Sequence, residues 1–368
     1  MSYQIGRSRS RSSLSSERKL IIGVSLNNLA GHYQLSDLLD AGGLAEDLGF
    51  DAVWIHDAPL GRRTTAFWDP IAVLAALAKV TSHVKLCTGI LQPHLRNPVT
   101  LAQGWATVDC LSGGRTIMAV GSGAGVPRLV EREYDALAIL RPGGNPKPEE
   151  IYNRRSQLFA ESVEVIRRLW DEDHISYHGE FYHLDDATLG LARPVQKPHP
   201  PIVIAAGNYY PKNVGGSVHH GWDPKRAGKF LFGPLKLVAT LGDGWITSHP
   251  TPEEYAAGWE RIRNHAKQLG RDPGQLIQAF NCFVNLNADR DQAWREVRQH
   301  LNDFHGPPVP DDVVDRWGFV GTADEIAGRL KMFLAQGVTL LQLVIGSRDE
   351  VGQIRLLAKE VLPRLREA

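Results

Sequence analysis

Cysteine is scarce in this sequence: Cys87, Cys110 and Cys282 lie far apart, and none belongs to a C-x-x-C pair. That argues against a disulfide framework and a zinc–thiolate site, and fits a reducing, cytoplasmic setting. Net charge is absent too, with 41 Lys and Arg against 41 Asp and Glu. Nothing electrostatic therefore points to nucleic acid or an anionic membrane as a partner. No window approaches the ~18 consecutive apolar residues of a membrane span. Arg7, Arg9 and Arg11 are followed by serines at Ser10, Ser12, Ser13, Ser15 and Ser16, and not by an apolar segment. Residues 1–17 thus read as a disordered Ser/Arg tail, with no secretory signal. No G-x-S-x-G motif exists for a serine nucleophile. His174, His178 and His183 fall on a predicted hairpin, and His219 and His220 in an irregular stretch. Neither group has a ligand pair at strand ends with a carboxylate beside it, so no metal is expected.

What the sequence does have is alternation. The most informative stretch is 85–125, which reads strand, loop, helix, turn, strand, loop. Asn97 offers an N-cap oxygen and Pro98 a pre-set first helical residue. Leu101, Trp105, Val108 and Leu111 then share one helix face, and Gly113 and Gly114 stop it. Thr116 to Val120 is a buried strand running into the glycine-rich 121–125. A βαβ unit of this length carries parallel strands and a right-handed crossover.

The same rhythm recurs along the chain. Strands are expected at 20–26, 52–55, 84–90, 116–120, 200–206, 245–248, 276–286 and 340–345. Helices are expected at 36–48 with Ser36 as N-cap, from Asp69 and Pro70 onward, and at 151–170, 230–241, 252–269, 291–304, 323–336 and 351–366. A β-hairpin around Gly179 and two irregular insertions, near 125–150 and 208–229, interrupt the pattern. Eight strand–helix units in one uninterrupted chain predict a single (β/α)8 TIM barrel over 18–368, with inserted loops and a hairpin. Working residues of such a barrel belong at the carboxyl ends of its strands. That rule selects Asn27, Asn28, His56, Asp57, Gly89, Ile90, Gln92, Ser122, Gly123, Gly207, Asn208 and Ser248. The glycines at 121, 123 and 125 do not put a third glycine at the spacing of a dinucleotide fingerprint, and Pro127 follows at once.

Several segments resemble the bacterial luciferase-like family of flavin-dependent oxidoreductases. They are AEDLGFDAVWIHDAP, DPIAVLAALAKVTSHVKLCTGIL, LRNPVTLAQGWATVDCLSGGR, VGSG, HGEFY, RPVQKPHPPIVIAAG, GDGWITS and FVGTADEIAGRL, together spanning roughly 20–345. The resemblance implies a barrel that binds reduced FMN or the deazaflavin F420 at its carboxyl face. It also implies a non-prolyl cis peptide at Gly89–Ile90, against the flavin ring. It places Asp57 on the aspartate of the Asp-His pair common in F420-dependent members and leaves Ala58 where their histidine stands. Ala124 stands where F420-dependent sugar-phosphate dehydrogenases have glutamate.

A flavin needs an apolar slot, donors for its ring carbonyls and a dry chamber for its reactive edge. Ile90, Trp54 and Leu26 are candidates for the slot. Gln92 is either a ligand of ring or tail or a solvated loop amide. The phosphate needs close backbone N–H groups, for which Ser122 and Gly123, and Ala206, Gly207 and Asn208, are the candidates. Asp57 is a base, a flavin ligand or a loop cap. His56 either replaces the missing histidine or packs under the helices. Arg62, Arg63, Arg128 and Arg132 either hold an anionic substrate or cofactor tail or are solvated. Arg115, Asp109 and Asp243 are assigned to salt bridges and turns.

The expected activity is monooxygenation of a small organic substrate with reduced FMN and dioxygen, served by a separate flavin reductase. F420-dependent hydride transfer and a non-catalytic flavin-binding barrel are the alternatives. A homodimer or homotetramer is expected from the resemblance alone.

Overall fold

A computed structural model describes residues 19–30, 34–59, 66–123, 148–212, 224–305 and 308–367. The tail, the four loop arginines, Ala124, His219 and His220 lie outside the described residues. Eight parallel strands close on themselves. We number them β1 (Ile21–Leu26), β2 (Ala52–Ile55), β3 (Lys85–Thr88), β4 (Thr116–Val120), β5 (Ile202–Ala205), β6 (Gly244–Thr247), β7 (Ile277–Leu286) and β8 (Leu340–Ile345). Neighbours in sequence are neighbours in the sheet, and β1 pairs with β8 from Ile21↔Leu340 to Ser25↔Val344 to complete the ring. This is a (β/α)8 barrel, as the alternation predicts.

The helices between the strands are α1 (Leu35–Asp47), α2 (Pro70–Val80), α3 (Pro98–Ser112), α4 (Pro148–Asp171), α5 (Leu235–Leu241), α6 (Pro252–Gln268), α7 (Arg290–His305), α8 (Asp311–Trp317), α9 (Ala323–Leu334) and α10 (Glu350–Leu356). Their starts follow local chemistry. Asp69 accepts from the N–H groups of Ile71 and Ala72, and Asn97 from those of Val99 and Thr100, each ahead of a proline at the first helical position. Thr251 and Thr322 form capping boxes with Glu254 and Glu325. Gly113 ends α3 at φ 68°, a conformation that favours glycine.

Two expectations need correction. Helix α1 begins at Leu35 with Gln34 at the N-cap, and the Ser36 hydroxyl bonds the neighbouring Asp37 carboxylate instead. The helix expected from Phe230 starts only at Leu235. Residues Lys229–Leu231 pair antiparallel with Asn208–Tyr210, Phe230 opposite Tyr209, and Pro234 has no N–H to continue a helix backwards. A further strand, Gly318–Gly321, pairs with the upper half of β7. It is too short and too rich in glycine to be read from sequence.

Alternation along the strands sorts the core into two shells. Ala52, Trp54, Cys87, Ile117, Ala119, Val203, Ile246, Ala279 and Leu340 fill the barrel, while Leu26, Val53, Leu86, Met118, Ile204 and Leu343 face the helices. Trp54 is wholly buried, and a Cβ on Gly23 would stand 2.3 Å from its indole nitrogen. Trp54 and Leu26 are therefore core residues and not the walls of a cofactor slot. Arg115 is buried without a carboxylate partner among the described residues. It donates to the carbonyls of Ser112, Val84, Ala78 and Thr81 and to the Thr81 hydroxyl, tying the ends of α2 and α3 to β3. Asp109 accepts from Thr116 and Gln196, and Asp243 from the Ile202 N–H. No described helix is long and apolar enough to cross a membrane.

Candidate active site

The carboxyl ends of β1, β2 and β3 are locked together by polar side chains, and this sets the geometry of the barrel mouth. Asn28, fully buried, donates through Nδ2 to the His56 carbonyl at 2.8 Å and to the Trp68 carbonyl at 2.9 Å. Its Oδ1 accepts from the His56 N–H at 3.2 Å. His56 sits two residues beyond Trp54 and so on the same, inward face of β2. Its Nδ1 lies 2.6 Å from the Gly89 carbonyl oxygen. A carbonyl only accepts, so Nδ1 carries the proton. Burial pushes the imidazole pKa down to about 4, against the pull of the Gly89 carbonyl, and leaves a neutral ring at pH 7. Its Nε2 is buried and meets no hydrogen-bond partner among the described residues. His56 is thus not packed under the helices; it faces the mouth.

Asp57, one residue on, points the other way. Its Oδ2 accepts from Arg96 Nη1 at 2.7 Å and from the Gln92 N–H at 2.9 Å, and its Oδ1 from Arg96 Nη2 at 2.8 Å. Arg96 also reaches Asp69 at 3.2 Å, the residue that caps α2. Burial would lower the Arg96 pKa, but the adjoining Asp57 carboxylate outweighs it and holds the guanidinium more firmly charged. With both oxygens committed in a site 1% exposed, Asp57 acts here as a clamp on the loop after β3. It is neither a free base nor a free flavin ligand.

That loop contains the Gly89–Ile90 peptide, which is cis. Glycine is needed at 89 because a Cβ would come 2.1 Å from Gln342 Nε2, whose amide crosses from β8 to donate to Ser25 Oγ at 2.9 Å. The Ile90 side chain reaches over β4 and β5, its Cδ1 2.8 Å from where a Cβ on Gly121 would lie. Gln92 is buried with its Oε1 against Gly123, where a Cβ would meet it at 2.0 Å. It is not a solvated loop amide.

The predicted phosphate cradle is narrower than the sequence suggests. The Ala206 N–H is spent on the Ile246 carbonyl and its own carbonyl on the Trp245 indole. Asn208 is exposed on the hairpin with Lys229–Leu231. Ser122, Gly123 and Gly207 remain, with N–H groups that donate to no acceptor among the described residues. Thr247, missed in the sequence reading, ends β6 with a buried hydroxyl that has no partner among the described residues. That hydroxyl lies 3.1 Å from the position of a Cβ on Gly207, which has φ 92°. The signal for it was the strand-end rule, applied one residue too late at Ser248. Free backbone donors, an apolar isoleucine beside them and two orphaned polar atoms, His56 Nε2 and Thr247 Oγ1, suit a flat heteroaromatic ring with a polar tail. The residues fit a flavin or deazaflavin.

Aromatic side chains stand beside His56. The Phe304 ring lies edge-on to His56 with centroids 5.0 Å apart, and Phe67 lies 5.1 Å from Phe304. Elsewhere, His174 and His178 pair with Asp186 and Asp185 on the exposed hairpin Ile175–His178/His183–Ala187. Among the described residues, no group of three or more His, Cys, Asp or Glu is placed to hold a metal ion.

A family model described as luciferase-like monooxygenase matches residues 21–224 and 234–340. The F420-dependent glucose-6-phosphate dehydrogenase of Amycolatopsis mediterranei is 27% identical over 334 residues, covering 90% of this chain and 94% of its own length. Among solved structures, an F420-dependent secondary alcohol dehydrogenase in complex with an F420–acetone adduct superposes with a TM-score of 0.74 at 22% identity. The match covers 95% of this chain and 99% of that one. The FMN complex of the oxygenating constituent of 3,6-diketocamphane monooxygenase from Pseudomonas putida gives a TM-score of 0.64 at 16% identity, covering 94% and 98%.

Proposed function

Because this chain belongs to the luciferase-like monooxygenase family, we propose that it is an F420-dependent oxidoreductase. It would exchange a hydride with an organic substrate at the carboxyl mouth of the barrel. The sequence reading put reduced FMN and dioxygen first. What reverses that order is the F420-dependent relative that aligns with nine-tenths of the chain. The FMN enzyme supports the fold alone.

F420, when bound, supplies a ring carbon that accepts or returns the hydride. The chain's own residues do the rest. Ile90 offers the apolar surface on which a ring can rest, with Gln342 packed against the preceding Gly89 and the Asp57–Arg96 clamp holding Gln92 two residues on. The N–H groups of Ser122, Gly123 and Gly207 and the Thr247 hydroxyl are the donors for polar groups of ring and tail. His56 holds its proton on Nδ1 and turns a bare Nε2 toward the mouth. A separate reductase belongs only to the FMN reading.

The test is equilibrium binding of F420 and of FMN, oxidised and reduced, followed by fluorescence. Tight F420 binding with weak FMN binding is expected. The reverse preference would return the assignment to a two-component monooxygenase. Sustained oxidation or reduction of bound F420 by an added substrate excludes a non-catalytic barrel.

A further inference from the structure

The barrel has a second opening at its amino-terminal end, opposite the mouth. At the strand starts, a half-open cavity of about 280 Å³ is walled by Ile21, Ile117, Ile277 and Leu340, from β1, β4, β7 and β8. Lys19, Gln275 and Thr339 complete its lining. We propose that this cavity binds a small straight-chain carboxylate, with the hydrocarbon tail among the isoleucines and the head group at the lysines outside. The site is independent of the cofactor reading.

The cavity exists because one layer of the barrel is incomplete. Barrels of this class fill their interior with layers of inward side chains. Here the first inward positions of β2 and β6 are Ala52 and Gly244, by alternation with Trp54 and Ile246. Gly244 has no room for a larger residue, since a Cβ there would lie 2.7 Å from Ile277. On β3 the position belongs to Lys85, on the face of Cys87. Its charge opposes the burial that raises the Cys87 pKa, so the ammonium stands close to the interior. A lysine buries its stem and carries its head toward water, and so does not plug the hole. An apolar hollow gains from an apolar guest: one of about 150 Å³ takes benzene, so nearly twice that volume takes a chain of about eight carbons.

Charge at the rim selects the head group. The Lys19 side chain is 86% exposed and reaches Asp51 only at 3.9 Å. That carboxylate already accepts from the Ile22 N–H at 3.0 Å and from Arg366 at 3.2 Å. The Lys85 N–H donates to the Asp51 carbonyl at 2.9 Å, which sets both lysines on one side of the rim. Lys85 itself has no ion-pair partner among the described residues. Two ammonium groups beside an apolar hollow favour a guest with a negative head and an apolar body. An organic cation is repelled, an uncharged hydrocarbon leaves the lysines unused, and a phosphate has nothing to bury.

The closing experiment titrates octanoate into the full-length protein, with isoleucine and leucine methyls labelled for NMR. Saturable binding is expected with a dissociation constant of about 1 mM or tighter. Nuclear Overhauser contacts should run from the chain to Ile117, Ile277 and Leu340, with none to Ile90 at the mouth. Affinity should rise about fourfold per CH2 from butanoate to octanoate and level off once the cavity is full. Ile277→Trp fills the hollow and should abolish binding. Lys85→Met, at a rim position that tolerates change, should weaken octanoate about two- to fivefold at low salt and leave octanol unaffected. No saturable binding by the full chain, contacts confined to Ile90, or an affinity indifferent to chain length would each overturn the proposal. Occupation of the cavity by residues 1–18 of the same chain would give the first of these results.

Discussion

Replacing Asp57 by asparagine separates a clamp from a proton acceptor. Three donors converge on this carboxylate: Arg96 Nη1 at 2.7 Å, Arg96 Nη2 at 2.8 Å and the Gln92 N–H at 2.9 Å. Asparagine keeps the shape but has a single acceptor oxygen, and its NH2 group would face one of the three donors. Arg96 would keep only Asp69, which is 51% exposed, as a charged partner. Removing one member of a buried pair costs about 3 to 5 kcal/mol, chiefly because the other charge is left uncompensated. Arg96 is 18% exposed, so water relieves part of that, and a loss of about 3 kcal/mol in unfolding free energy is expected. Denaturant titration of D57N gives the number. The double variant D57N/R96M, which leaves no orphaned charge, should cost clearly less than the sum of its single changes. Salt should alter these values little, since a buried pair is weakly screened. The reasoning fails if D57N unfolds within about 1 kcal/mol of wild type. Lost turnover with intact stability would identify Asp57 as a participant in the chemistry.

Gly89→Ala should destabilise by about 1 to 3 kcal/mol, because its Cβ meets the Gln342 amide at 2.1 Å. Shortening that neighbour in G89A/Q342A should recover part of the loss in the same melting assay. Arg115→Met removes five hydrogen bonds to the ends of α2, α3 and β3 and strands buried carbonyls. A loss of about 3 kcal/mol or more is expected, with F420 affinity unchanged in whatever folds. Glu350, at the start of α10, accepts from the Asn27 N–H at 2.9 Å, and burial raises its pKa from 4.5 to about 7, against that bond. Between these values the folded protein holds a proton that the unfolded chain has released, so stability falls as pH rises from about 4.5 to 7. Glu350→Gln keeps the acceptor and should flatten that limb, with a gain on the order of 3 kcal/mol at pH 8 in pH-resolved denaturation.

Much of the fold was legible because its signals are local. Asn97 and Asp69 ahead of prolines, the Gly113 stop and the apolar β-branched runs each act within a few residues. The closed barrel followed from counting them, and the resemblance located the Gly89–Ile90 peptide. Where local signals compete, the reading slipped, as at Ser36 and at Phe230, whose strand partner Tyr209 lies beyond an insertion.

The site's roles were decided by tertiary structure. Sequence named His56 and Asp57 as neighbouring candidates, Asp57 on the family's aspartate and His56 as a substitute for its missing histidine or a packed residue. Strand alternation turned one inward and one outward, but only packing showed what each meets. Asp57 finds its counter-charge 39 residues away in Arg96, and His56 finds the Gly89 carbonyl 33 residues away. Gln342 supports Gly89 only because barrel closure sets β8 beside β1. Phe304 and Thr247 gain meaning only from the neighbours that the fold gives them. Elements are fixed by interactions between residues close in the chain, and the chemistry of a barrel mouth by contacts between strand ends far apart in it, which exist only after the sheet has closed.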